Sequence, residues 1–277
     1  MLLAEPIVSS WKASLSLEFC FQDQKTTLSR KIHDGPLVVQ KPLYPEGLDL
    51  CHAIVVHPPG GIAGGDELSL RVKTGNGAST LLTTPGAAKW YRSAGPWAKQ
   101  SVAFDVQGAL EWLPQETIVF DGALADSAYD VDLGAQAGFI GWDIVCLGRT
   151  GSGEKFSRGT FRSSVQVRRE GRLLWKERGR IDGGGRLLDS PAGLAGNPVF
   201  GTLFASAPAI DSKILDRLRE HKPTLGAGAV TLLPGVLLAR YLGGSSEAAR
   251  RYFIALWRIL RPALLGREAT EPRIWQT

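Results

Sequence analysis

Short runs that alternate between apolar and polar residues, separated by glycine-rich turns, constrain the fold of this chain more than any other feature. Residues 11–22 are the clearest case, because Ala13, Leu15, Leu17 and Phe19 alternate with polar residues. Successive side chains of a strand point to opposite faces, so this run predicts a strand that is exposed on one face. A dozen or more such segments follow, and the 33 glycines suit the turns between them. The pattern predicts an all-β sandwich, a barrel or a stacked β-helical body.

Local signals predict particular elements within this body. A Gly-Asn-Gly sequence at residues 75–77 lies between two β-like runs and predicts a hairpin, and Glu-Gly at residues 170–171 predicts another. Thr-Pro at residues 84–85 has the composition of a helix start. A short helix is therefore expected through residues 87–91.

The last third of the chain has a helical character. Residues 211–220 place apolar residues on one helical face, with Asp211 or Ser212 as the cap. Residues 246–260 give the strongest helical pattern in the chain, capped by a serine and ended by Pro262. Between them, residues 230–242 predict two short strands around Pro-Gly.

No linker or internal repeat divides the chain. We therefore expect a single domain over residues 1–277, with a β-rich body at about 10–205 and a helix-containing part at about 206–277. Two or three α-helices are expected, chiefly in the C-terminal third.

Charge and composition favour a soluble protein without nucleic acid or membrane partners. The formal net charge is +5, but no nucleic-acid-binding motif accompanies the dispersed basic residues. Solvated faces explain most of this charge, and an acidic protein partner fits it as well. No apolar run approaches the ~18 residues of a membrane span, and residues 1–6 lack the features of a signal peptide. A cytoplasmic location is expected.

One loop, residues 57–66 (HPPGGIAGGD), is unusually constrained for a connection between two strands. Its prolines remove backbone donors and its glycines permit positive φ or close backbone approach. Such a loop holds Asp66 in one place. A demanding turn explains the sequence as simply as a functional carboxylate does, although functional residues do concentrate on loops held by rigid scaffolds.

A tight metal site is not expected. In an extended segment, Cys51 and His57 share a face but lie roughly 20 Å apart, and His52 points to the other face. A closed structural zinc site does not follow from three ligands so arranged. Weak or transient contact with a metal remains open.

Dispersed carboxylates suggest a second class of function. Several lie beside glycine, proline or aromatic residues, and two that approached each other could perform acid–base chemistry of the glycosidase kind. The sequence does not show which of them meet. No Gly-Lys-Ser/Thr phosphate loop and no Gly-x-Ser-x-Gly elbow is present. From the residues alone, a binding or scaffold role leads, and a β-helical carbohydrate-active enzyme is the alternative.

Several blocks of sequence together are more specific than any one of them. They are residues 57–61 (HPPGG) with 64–66 (GGD), 83–87 (TTPGA) with 89–93 (KWYRS), 113–118 (LPQETI) with 120–122 (FDG), 141–143 (GWD), 147–149 (LGR), 152–154 (SGE), 177–178 (ER), 260–262 (LRP) and 272–275 (PRIW). In this order, from about residue 50 to the C-terminus, they resemble the urease accessory protein UreD (UreH) family.

This resemblance implies a non-enzymatic maturation factor with a stacked β-helical body. Such a protein would bind urease apoprotein and UreF, with UreG recruited through UreF, and would help to load nickel into the urease active site. The family is thought to offer nickel an internal route. Nickel would bind transiently and no cofactor would be held tightly, because a tight ligand set would trap the ion.

Under this interpretation Asp66 and Glu177, then Asp143, are the first candidates for the nickel route. Glu116, Glu154 and His57 are further candidates for the route. No catalytic residues are expected. Each carboxylate could replace part of the hydration shell of a divalent ion, and each could equally be a buried acceptor. The C-terminal helix is the candidate partner surface, through Tyr252 and Trp257, for which core packing is the alternative.

Overall fold

The computed structural model describes residues 10–276. The prediction made from residues 1–6, that they do not form a signal peptide, lies outside the described residues. The strands are β1 (Lys12–Gln22), β2 (Lys25–Asp34), β3 (Val38–Val39), β4 (Leu50–Val56), β5 (Glu67–Thr74), β6 (Ser79–Thr83), β7 (Ala88–Trp90), β8 (Ala98–Val106), β9 (Ala109–Trp112), β10 (Thr117–Val119), β11 (Leu124–Leu133), β12 (Gly138–Leu147), β13 (Thr160–Arg169), β14 (Arg172–Asp182), β15 (Val199–Ser206), β16 (Ala227–Leu233) and β17 (Val236–Gly243). The α-helices are α1 (Arg186–Asp189), α2 (Ile214–Glu220) and α3 (Ser246–Leu265), and two 3₁₀ turns cover Thr150–Ser152 and Arg273–Gln276.

The strands form two sheets. The first has the order β14-β13-β11-β8-β5-β1-β2, and the second has the order β16-β17-β15-β12-β9-β6-β4-β3, with β10 pairing to β12 and to β7. Strands β1, β5, β8, β11 and β13 are parallel neighbours in the first sheet. Strands β4, β6, β9 and β12 are parallel neighbours in the second. Between β4 and β13 the chain passes repeatedly from one sheet to the other, which confirms the mainly β, stacked β-helix-like body.

The inward faces of the two sheets share one apolar core. In the first sheet, Leu17, Val72, Phe104, Val131 and Val167 form a single row across five strands, and all five are buried. The matched alternation on each strand explains this row, because parallel pairing in register puts the apolar face of every strand on the same side.

The outer face of the second sheet is covered by α2 and α3. Along β12, Phe139 belongs to the core between the sheets, whereas Trp142 belongs to the core beneath the helices. The hydroxyl of Ser245 caps α3 by accepting the N–H of Ala248 at 3.2 Å, which confirms the predicted start. Helix α2 is also confirmed, although it begins later than expected, at Ile214.

Three local predictions were wrong. The Gly-Asn-Gly sequence at residues 75–77 does not close a hairpin, because β5 lies in the first sheet and β6 in the second. Residues 88–90 form strand β7 instead of a helix, since β10 pairs with them in parallel. Helix α3 continues past Pro262 for almost one turn and ends at Gly266, whose φ is 65°. The hairpin at residues 170–171, between β13 and β14, is confirmed.

No helix within residues 10–276 is long and apolar enough to cross a membrane.

Candidate functional site

The glycine loop, residues 57–66, joins β4 to β5 and is held in place by Asp66. This side chain is only 6% exposed. Its Oδ1 accepts the backbone N–H of Trp11 at 2.8 Å, and its Oδ2 accepts that of Ala63 at 2.8 Å. Both carboxylate oxygens therefore stabilise the loop, as expected if Asp66 serves to hold a demanding turn.

A cavity of about 280 Å³ opens beside this loop, between the two sheets. At ~30 Å³ per water molecule in the liquid, it has room for several waters. Gly60 and Gly86 are exposed and border it, so the cavity reaches the surface between two loops. Its walls include His57 from the glycine loop, Tyr129 from the first sheet, and Trp112 and Thr117 from the second sheet.

The Nε2 atom of His57 at this cavity has no hydrogen-bond partner among the described residues, although the atom is buried. A buried polar atom left unpaired is uncommon and requires an explanation. Burial lowers the pKa of His57, and the nearby charge of Asp66 opposes this effect. The imidazole is therefore neutral at neutral pH, which is the form that binds metal ions.

Asp143 lies on the inter-sheet face of β12, the face that carries Phe139 and Val145 of the core between the sheets. Its Oδ1 is 3.5 Å from the hydroxyl of Thr117, which lines the cavity. Burial raises the pKa of Asp143 to about 6. Burial and then the charge of Asp143 raise the pKa of Tyr129 on the opposite sheet, so the two sheets approach each other here through polar groups.

Polar side chains continue from Asp143 across the neighbouring strands β15 and β17 to Glu177 on β14. Asp143, Thr202 and Arg240 occupy one row across β12, β15 and β17. The guanidinium of Arg240 donates to the hydroxyl of Thr202 at 2.7 Å and to Oε1 of Glu177 at 2.8 Å. Glu177 lies on β14, where it is exposed. We call this succession of groups, from His57 and Asp66 through the cavity and Asp143 to Glu177, the polar strip.

Four of the residues predicted from the sequence thus belong to one layer of the fold, although they come from three separate segments. The sequence did not single out Trp112, Tyr129, Thr202 or Arg240, which lie among them. The only sequence signal for these residues is their place in the alternation of their strands. Strand register, which the sequence does not give, is needed to bring them together.

Glu116 and Glu154 lie outside the polar strip. Glu154 binds Arg149 through Oε2 and accepts the backbone N–H of Asp121 at 3.1 Å. Glu116 borders a surface depression near the start of α3, together with Arg250.

The proposed partner contacts of Tyr252 and Trp257 require correction. Tyr252 is 3% exposed and Trp257 is fully buried, in the core between α3 and the second sheet. The indole N–H of Trp257 donates to the buried carboxylate of Glu111 at 2.6 Å. These two aromatic side chains stabilise the packing of α3, and a partner could not contact them without unfolding the helix.

The buried carboxylates of Glu46 and Glu111 share a partner, Arg261, outside the cavity lining. Arg261 is fully buried and donates to Glu111 at 2.9 Å and to Glu46 at 2.7 Å. His52 completes this cluster, with Nε2 at 2.7 Å from Glu46. Neither carboxylate lines the cavity, so the structure offers no support for the alternative of a glycosidase-like pair.

Within the described part of the chain, no three side chains of His, Cys, Asp or Glu gather into a group able to hold a metal ion. Cys51 is buried in the core between the sheets and His52 is engaged with Glu46. Only His57 of the three soft ligands considered above lies at the cavity.

Comparison with known proteins gives the family. A profile of the family described as "UreD urease accessory protein" matches residues 12–276. The chain belongs to the UreD family of urease accessory proteins. A UreD protein of Azoarcus sp. (strain BH72) is 54% identical over 269 residues, which cover 96% of this chain and 94% of the relative.

Other UreD proteins agree over nearly the same span. That of Dechloromonas aromatica (strain RCB) is 54% identical over 274 residues, covering 97% of this chain and 95% of the relative. That of Pseudomonas aeruginosa (strain PAO1) is 51% identical over 271 residues, covering 97% and 96%. Membership of the UreD family thus extends to β1, well before the motif blocks that first indicated it.

Proposed function

We propose that this UreD-family chain is a urease maturation factor that binds urease apoprotein and UreF, through which UreG is recruited, and passes nickel along its polar strip. The family's relatives are named as accessory proteins, which fits a role outside catalysis. The observation that carries the proposal is the layer between the sheets, where His57, Asp143 and Glu177 succeed one another. Cytoplasmic action is part of the proposal, and all three cysteines are free thiols, as in proteins of reducing compartments.

The chemistry of the polar strip suits a divalent ion in transit. Nickel accepts imidazole and carboxylate ligands, and the strip offers one such group at a time. Neighbouring strands lie about 4.8 Å apart, so Asp143 and Arg240 are separated by roughly 10 Å across two strand spacings. Arg240 binds Glu177, the next carboxylate after Asp143. An ion moving between single ligands this far apart keeps most of its water and is not trapped.

Asp143 is the best position at which to test the route. Replacement of Asp66 would leave two backbone N–H groups unpaired, and replacement of Glu177 would leave Arg240 without its carboxylate. Among the side chains of residues 10–276, Asp143 has only the long contact with Thr117, so its loss should leave the fold intact.

The experiment is to activate urease apoprotein in the presence of Asp143→Ala and to measure the nickel content and activity of the urease formed. A matched control is Asp130→Ala, since Asp130 lies on the outer face of β11 in an ion pair with Arg168. We expect both variants to co-purify with UreF and urease apoprotein, but only Asp143→Ala to leave urease short of nickel. Normal nickel content of urease formed with Asp143→Ala would refute the route. Loss of partner binding by Asp143→Ala would refute the idea that this residue serves nickel transfer and not partner binding.

A further inference from the structure

A cationic and aromatic surface lies beside the glycine loop. It consists of Tyr91, Arg92, Phe120, Arg149 and Arg158, which we call the arginine face. Strands β7, β10 and β12 run parallel, and Tyr91, Phe120 and Arg149 follow the ends of these three strands. Because the carboxyl ends of parallel strands meet at one edge of a sheet, residues from three separate segments converge here.

The aromatic part of the arginine face is held rigidly. The rings of Tyr91 and Phe120 meet edge to face, with 5.2 Å between centroids. The guanidinium of Arg149 lies over Phe120 at 4.7 Å from its centroid. A Cβ on Gly61 would approach the Tyr91 ring to 2.3 Å, so the ring packs directly on the glycine loop. Tyr91 therefore connects the arginine face to the loop that carries His57.

The two carboxylates of this region, Asp121 and Glu154, have no hydrogen-bond acceptor position left for another group. Asp121 Oδ1 accepts the N–H of Ser157, the hydroxyl of Ser157 and the N–H of Arg158, each at 2.8 Å, and its Oδ2 accepts from the Arg158 side chain at 3.0 Å. Glu154 binds the Arg149 side chain and accepts the backbone N–H groups of Asp121 and Arg149. These hydrogen bonds lower the pKa of both carboxyl groups against the effect of burial.

The arginines, in contrast, retain donors that point to solvent. The Arg92 side chain is 64% exposed. Its Nε makes one long hydrogen bond to the carbonyl of Asp121 at 3.4 Å, and one terminal nitrogen lies 3.7 Å from Oδ2 of Asp121. The Arg158 side chain is 68% exposed and commits one terminal nitrogen. These guanidinium groups are exposed, keep N–H donors available, and are fixed by carboxylates beneath them. They are therefore prearranged to bind carboxylates from another molecule.

We propose that the arginine face docks an acidic segment of a protein partner, and so brings that partner to the His57 end of the polar strip. This proposal rests on the proposed function, because the partner would give nickel to the strip or take it. Arginine and tyrosine are the residues that most often carry binding energy at protein interfaces. A surface with excess positive charge selects an acidic segment, and packing of Tyr91 against the glycine loop keeps that segment close to the cavity mouth.

The test compares Arg92→Gln with Arg30→Gln. The Arg30 side chain is 60% exposed and forms an ion pair with Glu18. It lies on β2, an edge strand of the first sheet, whereas the arginine face follows strands of the second sheet. Affinities of the full chain for UreF and for urease apoprotein are measured by calorimetry at low and high salt. We expect Arg92→Gln to weaken binding of one of these proteins by about tenfold, with a smaller salt dependence than the wild type. Arg30→Gln should match the wild type.

The proposal is overturned if the effect is absent, is not specific to Arg92, or belongs to another class of partner. Unchanged affinity of Arg92→Gln for both proteins, or an equal loss with Arg30→Gln, would show that the arginine face is not a docking surface. Binding of duplex DNA or of phosphatidylserine vesicles that Arg92→Gln abolishes, with protein affinities unchanged, would assign it to another class of partner. Asp143→Ala separates the two proposals, since it should retain full affinity. If that variant also supports normal nickel loading, the route fails and the docking surface stands.

Discussion

Replacement of Asp143 by asparagine should stabilise the metal-free protein at neutral pH. The pKa of Asp143 rises from the usual 3.8 to about 6 through burial. A pKa difference of about 2 between the folded and unfolded states corresponds to roughly 3 kcal/mol of stability, which the protein loses once this group is ionised above pH ~6. The asparagine oxygen can still accept from Thr117. Because Asp143 is only partly buried and solvent screens part of the cost, we expect a gain of about 1–3 kcal/mol.

The sign of the effect with pH follows from the raised pKa. Between about pH 4 and pH 6 the folded protein retains the Asp143 proton that the unfolded chain has lost, so the wild type loses stability as the pH rises. Below about pH 4 the group is protonated in both states and contributes no difference. The stability of Asp143→Asn relative to the wild type should therefore grow across this interval and then remain constant.

Urea unfolding, followed by tryptophan fluorescence in the presence of a chelator, measures this difference at about pH 4 and at about pH 7.5. Asp130→Asn is the control, and it should show no gain because Asp130 is exposed and paired with Arg168. A variant Asp143→Asn that is less stable than the wild type at neutral pH would refute the reasoning. It would mean that the Asp143 carboxylate stabilises the fold as a hydrogen-bond acceptor, and that its burial does not reduce the free energy of unfolding.

Three further changes test the packing around the site. Arg261→Met should destabilise the protein by about 3–5 kcal/mol in urea titrations, because two buried carboxylates lose their common partner. Gly61→Ala should cost about 1–3 kcal/mol through overlap with the Tyr91 ring, and a double variant with Tyr91→Ala should recover most of that loss; a purely additive double variant would contradict the contact. Ser245→Ala should lower the stability by about 1 kcal/mol through loss of the cap of α3, as a small decrease in the thermal midpoint would show.

Alternation and turn residues were enough to predict the class of fold but not the path of the chain. Strand β1 was clear from its sequence because one face is solvated. The segment at residues 75–77 has the strongest local signal for a hairpin, yet it carries the chain from one sheet to the other. Local turn chemistry cannot distinguish these outcomes, since pairing of β5 with β1 and β8 depends on residues far along the chain. Strand β7 likewise forms because β10 and the bridge from Ile62 provide its partners.

The candidate site was predictable only in part, and for a similar reason. Asp66 was singled out because an unusual glycine-rich loop leads to it, and Asp143 because it belongs to a sequence block that resembles the UreD family. Tyr129 and Trp112 were not found, because an aromatic residue in an alternating strand has the same sequence pattern whether it fills a core or lines a cavity. For Trp257 the helical pattern correctly indicated an apolar face, but that face packs inward against the second sheet. Burial of a whole helix face is a property of the assembled layers.

The three carboxylates of the proposed route share a property that bears on how it would work. Each already has a competitor for any cation that approaches. Asp66 is bound by two backbone N–H groups, Glu177 by the guanidinium of Arg240, and Asp143 by the hydroxyl of Thr117. A divalent ion must displace these interactions before it binds, so its net affinity at every stage is lower than for a free carboxylate. Because a conduit functions only if the ion can leave each stage, competition of this kind would favour passage over storage.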